Sequence, residues 1–264
     1  MDMELSGKTA VVTGSTAGIG RAIAEALVAE GAKVVVNGRD ETRTATAANE
    51  IDASGNAIPV HGDLGTREGV DAFVERLSSV GEIDILVNNT GIFKPEPFFD
   101  IPDEEWTRFY EVNVLSGVRL SRALAPAMRD RGWGRILFIS SESAMSIPEE
   151  MVHYGMTKTA QLSVMRGLAK TLAGTGVTVN AVLPGPTWTD GVVDFVASLA
   201  EREGVSVEQM KAEFVPRFRP KSIIQRFAEP REVASMVTYL CSPLASATTG
   251  ASVRCEGGLV DDLG

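Results

Sequence analysis

Tyr154 and Lys158 stand four residues apart in a stretch of helical character, so both side chains leave the same face, one turn apart. An ammonium close to a phenol favours the phenolate and lowers a pKa that starts at about 10, bringing proton transfer toward neutral pH. Such a pair suits reactions in which negative charge develops on an oxygen, as when a carbonyl and an alcohol interconvert. Alone, a Tyr-x-x-x-Lys pair also suits packing on a helix surface. Two neighbours favour chemistry. Ser141, thirteen residues before Tyr154 at the end of a β-rich run, offers a hydroxyl to the reacting oxygen, and Asn113, in the helical stretch before that run, can hold a water behind Lys158. Glu142 follows Ser141 directly; it would place a carboxylate near the pocket, and reads first as a solvated loop position.

A second group of residues suits anion binding. Gly14, Gly18 and Gly20 follow a first strand and open a helix in the order Gly-x-x-x-Gly-x-Gly. Glycines there let backbone approach a pyrophosphate, and the helix N-terminus presents N–H donors and the positive end of its dipole. An ordinary tight turn is the competing reading. Gly14, Ser15, Thr16, Gly18, Ile19 and Gly20 are the candidate contacts of this loop. The second strand ends in Asn37-Gly38-Arg39, with no carboxylate before Asp40. An acid there would bind both ribose hydroxyls, whereas Arg39 suits a 2′-phosphate, so NADP(H) is favoured over NAD(H). Asp63 and Leu64 after the third strand, and Asn88, Asn89 and Gly91 at the fourth, lie at carboxyl ends of strands, where open α/β sheets bind ligands.

Positioning these groups requires alternating strands and helices. Runs rich in β-branched residues recur at 9–12, 33–36, 57–61, 83–87, 135–139, 177–183 and 251–254, implying seven strands. Between them, 19–30, 67–80, 104–128 and 154–172 carry apolar residues three or four apart, as amphipathic helices do. This alternation predicts an α/β fold, a doubly wound parallel sheet with helices on both faces, as one domain over 1–264. Residues 189–227 delay the next helix and read as a helical lid. Val192, Val193, Phe195, Val196 and Leu199 form one apolar set, and Met210, Phe214 and Phe218 a second.

Composition bounds the function. A net charge of −10 disfavours nucleic acid and anionic membrane surfaces. Cys241 and Cys255 have no metal-ligand spacing and no disulfide framework around them, so no metal is expected. Residues 1–6 lack the apolar run of a signal peptide, and nowhere is there an apolar stretch of membrane-spanning length, so a cytoplasmic protein is expected.

In its joint motifs the chain resembles the short-chain dehydrogenase/reductase family, from about Leu5 to Gly258. The matching residues are Thr13-Gly14-x-x-x-Gly18-Ile19-Gly20, Asp63, Asn88-Asn89-Thr90-Gly91, Asn113, Ser141, Tyr154-x-x-x-Lys158, and Pro184-Gly185 followed by Thr187 and Thr189. The resemblance implies a Rossmann-like sheet of strand order 3-2-1-4-5-6-7 and a catalytic tetrad of Asn113, Ser141, Tyr154 and Lys158. It further implies that Tyr154 and Lys158 meet the nicotinamide ribose, that Asp63 and Asn88 border the adenine, and that Ile19 contacts the phosphates. Pro184, Gly185, Thr187 and Thr189 would line the nicotinamide side, Thr189 against the carboxamide. A homotetramer or dimer and a small carbonyl or alcohol substrate are implied as well. Thr90 stands where the family usually has alanine, and Glu256 where it usually has aspartate.

Two other functions compete with this reading. A dinucleotide-sensing module without activity would be free to lose the tetrad, all of which is present. Arg217, Arg219, Lys221 and Arg226 suit the anionic carrier of a 3-oxoacyl thioester, or a solvated face balanced by Glu201, Glu203, Glu208 and Glu213. His61 reads as structural, His153 as lining the pocket rim, and Trp106, Trp133 and Trp188 as packing residues, Trp188 alone having a pocket role as its alternative.

Overall fold

The valine-rich runs pair as a wholly parallel sheet. A computed structural model describes residues 2–262 and contains strands β1 (Thr9–Val12), β2 (Lys33–Val36), β3 (Ala57–Pro59), β4 (Ile85–Asn88), β5 (Gly134–Ile139), β6 (Val177–Pro184) and β7 (Ser252–Cys255). Their spatial order is β3-β2-β1-β4-β5-β6-β7, the one the sequence motifs imply. Every neighbouring pair is parallel. Strand β3 ends at Pro59, two residues before the expected His61. It is an edge strand, the place where a residue without an N–H is tolerated.

Alternation along each strand builds a core on both faces. On one face Val12, Val36, Val87 and Ile139 pack under Ile23 and Leu27 of α1 (Gly18–Ala29) and Val233 and Val237 of α9 (Pro230–Cys241). On the other, Val11, Val35, Leu86 and Phe138 meet Phe73 of α3 (Arg67–Leu77), Leu120 of α5 (Ser116–Arg131) and Met165 of α6 (Val152–Thr171). Adjacent residues such as Val11 and Val12 therefore serve opposite layers, as a period of two demands. The order of strands reverses between β1 and β4, and a crevice opens at the carboxyl ends of these strands.

Residues 104–128, expected as one helix, divide into α4 (Asp103–Tyr110), a π turn at Glu111–Leu115, and α5. A π turn releases a carbonyl from the regular ladder, and Asn113 lies in it. The insertion folds into α7 (Asp190–Glu203) and α8 (Val207–Phe218), which share a separate apolar cluster of Val196, Ala200, Met210, Phe214, Val215 and Phe227. Trp188 packs in that cluster, 5.1 Å from the Phe227 ring and covered by Lys211, so it serves the lid interior and not the pocket. Among the described residues no helix is long and apolar enough to cross a membrane, and no group of three His, Cys, Asp or Glu could hold a metal ion.

Candidate active site

The glycine loop is held by side chains from three strand ends. Asn37 Oδ1 accepts from Gly14 N at 3.2 Å, and its Nδ2 donates to the carbonyls of Val60 and Gly62 at 3.2 and 3.3 Å. From β4, Asn89 Nδ2 donates to the carbonyls of Thr13 and Gly14 at 2.9 and 3.0 Å. Thr13 Oγ1 in turn accepts from the N–H groups of Asn89 and Thr90, each at 2.9 Å. Ser15 is wholly buried, its hydroxyl donating to Val12 O at 2.6 Å and accepting from Asn37 N at 3.0 Å, so that side chain braces the loop from within. Gly20 has no alternative here, because a Cβ would come 2.4 Å from both Asn89 Nδ2 and Gly14 O.

Helix α1 begins at Gly18 with no side-chain cap, so its first N–H groups remain available to an anion. Gly18 adopts a positive φ of 57° and faces the Thr189 side chain across the cleft. A continuous cavity of about 790 Å³ runs from Gly18, Ile19 and Gly20 past Asn89 and Gly91 to Tyr154, Lys158, Pro184, Gly185, Thr187 and Thr189. An uncapped helix end at one end of this cavity and a phenol–ammonium pair at the other fit an elongated dinucleotide. Its adenosine end would point toward Arg39, which is exposed and, among the described residues, makes no hydrogen bond or ion pair. The next carboxylate, Asp40, is committed to capping α2 (Glu41–Ile51) by accepting from Arg43 N at 2.8 Å. Asp63 receives Gly65 N at 3.0 Å, Leu64 is buried beside it, and Thr16 packs against Gly38. Asn88 is buried, with its Oδ1 lacking a hydrogen-bond partner.

Helix α6 and the π turn hold the chemical end. Asn113 clamps the Ile92 backbone: its Oδ1 accepts from Ile92 N at 2.8 Å and its Nδ2 donates to Ile92 O at 3.0 Å. The freed Asn113 carbonyl accepts from Gln161 Nε2 at 2.6 Å, and Gln161 Oε1 accepts from Lys158 Nζ at 3.4 Å. A side-chain amide thus also links Asn113 to Lys158. Gln161 lies three residues beyond Lys158 on the same helix face, which is the signal that could have found it. Lys158 Nζ also donates to Ile139 O at 2.9 Å. Burial lowers its pKa to about 8, with the charge of Glu142 working the other way, so the ammonium persists at neutral pH and is lost as pH rises through that value.

Tyr154 departs from expectation. Its pKa is raised, first by loss of water and then by the negative charge of Glu142, while a hydrogen bond with Ser141 pulls it down. Lys158 Nζ lies 5.5 Å from the ring centroid and bonds elsewhere, so in this geometry it does not lower the phenol as the spacing predicts. Burial keeps Tyr154 protonated, the state a proton donor needs.

Glu142 is the larger surprise. It is 6 % exposed, lines the cavity, and accepts a hydrogen bond from Ser141 Oγ in a very short contact, where a solvated loop was expected. Its burial follows from the 3₁₀ turn Glu142–Ala144, which folds it inward beneath α6. His153, expected at the pocket rim, is instead wholly buried against Phe109 at 4.0 Å and Trp106 at 5.9 Å. Neither ring nitrogen has a partner, and burial lowers its pKa.

Comparison with known proteins agrees with this geometry. The chain is 49 % identical over 263 residues to the uncharacterized oxidoreductase YvaG of Bacillus subtilis, covering 98 % of each chain. L-Sorbose reductase from Gluconobacter frateurii, solved with NADPH and L-sorbose, superposes with a TM-score of 0.94 at 35 % identity over all of both chains. A 7α-hydroxysteroid dehydrogenase solved with NADH and a 7-oxo bile acid gives 0.85 at 32 % identity, covering 100 % of this chain and 98 % of the other. The two structures carry different dinucleotides in the same fold. Residues 8–199 match the short chain dehydrogenase family. With the sheet order, the glycine loop and the Tyr154–Lys158 pair in place, the chain belongs to that family and is an NAD(P)-dependent oxidoreductase.

Proposed function

We propose that the protein interconverts a small ketone or aldehyde and the corresponding alcohol with NADP(H) as its dinucleotide, Tyr154 being the general acid and base. The observation that carries this reading is the single cavity joining the uncapped α1 terminus to Tyr154 and Lys158. A bound nicotinamide would supply or accept the hydride. Tyr154 donates its proton to the oxygen as negative charge develops there, and Ser141, whose hydroxyl donates to Glu142 in the free site, turns to give that oxygen a second hydrogen bond. Lys158 keeps a positive charge beside this centre, held in place by Ile139 O and Gln161. Asn113 fixes the Ile92 backbone that forms one wall. The lid helices cover the opposite side with Val192, Phe195, Leu199, Phe214 and Phe218.

Arg39 supports the choice of NADP(H): it is an exposed cation after β2, unpaired among the described residues, and the neighbouring Asp40 caps α2. The thioester alternative draws less support from the basic group of the lid, since Arg217, Arg219 and Arg226 are each paired with a carboxylate, Glu203, Glu150 and Glu232, and Lys221 lies 4.0 Å from Asp261. The test is a panel of ketones and aldehydes assayed with NADPH and NADH in the wild type and in Arg39→Ala. The variant should lose roughly tenfold or more in affinity for NADPH and less than about twofold for NADH. Equal losses would remove Arg39 from 2′-phosphate recognition.

A further inference from the structure

We infer that Glu142 reads the substrate, and that the substrates are ketones carrying a hydroxyl on the carbon next to the carbonyl, together with the vicinal diols they correspond to. The inference rests on the carbonyl–alcohol reading of the site. It begins from a group that the general chemistry leaves without a task. Glu142 is buried, it lines the same cavity as Tyr154 and Lys158, and no Lys, Arg or His forms an ion pair with it among the described residues. Arg219, the cation whose charge reaches it, is held by Glu150 Oε1 at 2.9 Å and by Phe218 O at 2.8 Å. Burying a carboxyl without a cation is costly, so an unpaired one at a reaction centre calls for a partner arriving with the ligand.

Geometry identifies that partner. Ser141 Oγ donates its one proton to Glu142 Oε2 in the free site, and on the carbonyl–alcohol reading it turns that proton to the reacting oxygen when substrate binds, leaving the carboxyl in need of a new partner. An oxygen at an ordinary hydrogen-bond distance of about 2.8 Å from Ser141 Oγ must lie within roughly 5 Å of the Glu142 carboxyl. That gap is the reach of a substituent on the neighbouring carbon. Burial raises the pKa of Glu142, and a hydroxyl, which both donates and accepts, is the smallest substituent that pairs with the carboxyl in either protonation state. A hydrocarbon there would give the buried carboxyl no partner from the ligand, leaving it Ser141 alone. Sites built to pair a substrate hydroxyl discriminate strongly against analogues that lack it.

A matched series tests this: 1-hydroxy-2-hexanone, 2-hexanone and 2-oxohexanoate, each assayed with the dinucleotide that supports turnover, in the wild type and in Glu142→Gln. The hydroxyketone should exceed both 2-hexanone and 2-oxohexanoate in kcat/KM by about tenfold or more. In Glu142→Gln that advantage should shrink to less than about threefold. Calorimetric titration of the wild type with 1,2-hexanediol and 2-hexanol gives a readout independent of turnover, and the diol should bind at least about fivefold more tightly. Equal use of hydroxyketone and plain ketone, or equal binding of diol and monoalcohol, would overturn the assignment even if the variant failed to fold. Absence of turnover across the series would instead count against the carbonyl–alcohol reading, while the titration would still decide the role of Glu142.

Discussion

The two ends of the cavity are built on different principles. At the dinucleotide end, Asn37, Asn89, Thr13 and Ser15 tie the glycine loop to the ends of β1, β2 and β4 with directional, largely buried hydrogen bonds. At the substrate end, α7 and α8 pack on each other through their own apolar cluster, and the half-exposed Arg219–Glu150 pair ties them to the loop before α6. Buried polar networks fix one arrangement, because any shift leaves groups unpaired. Apolar packing with surface ion pairs tolerates changes of shape and opens locally at small cost. The contrast suits an enzyme whose dinucleotide is constant and whose substrate site has to be adjustable.

Two substitutions set the ends against each other. The larger effect is expected at the dinucleotide end: Asn37→Ala strands Gly14 N and the carbonyls of Val60 and Gly62, which should cost about 3 kcal/mol. That corresponds to a fall in melting temperature of roughly 6–12 °C, and dinucleotide binding should be lost with it. Calorimetry with a dinucleotide titration checks both, and unchanged affinity in a destabilised variant would mean that the loop has another support. A smaller and more local effect is expected in the lid. Phe214→Ala removes a ring that stacks on Phe227 at 5.1 Å and also lines the cavity. It should raise substrate KM roughly tenfold and leave dinucleotide affinity within about twofold. A matching loss of dinucleotide affinity would erase the distinction between the two ends.

What could be read from the sequence follows the same division. The glycine spacing, the Asn37-Gly38-Arg39 strand end and the Tyr154–Lys158 pair are local patterns, and strand order follows from alternation plus those motifs. The π turn at Glu111–Leu115 was not legible, because one extra residue in a helical turn leaves the apolar pattern almost unchanged. For Gln161 the spacing from Lys158 is a legible signal, whereas its bond to the Asn113 carbonyl depends on this turn. Burial of Glu142 and His153 depends on which loops and helices close over them, and residue type alone favours a solvated acid and a half-exposed imidazole.

The account depends most directly on Tyr154, and one paired measurement decides it: steady-state turnover and dinucleotide affinity of Tyr154→Phe, taken on the same preparation. Phenylalanine keeps the ring against Phe93 and removes only the hydroxyl. Turnover should fall by about 10²- to 10⁴-fold with the dinucleotide dissociation constant within about threefold of the wild type. A variant that keeps more than about a tenth of wild-type turnover would contradict the assignment of Tyr154 as the proton donor.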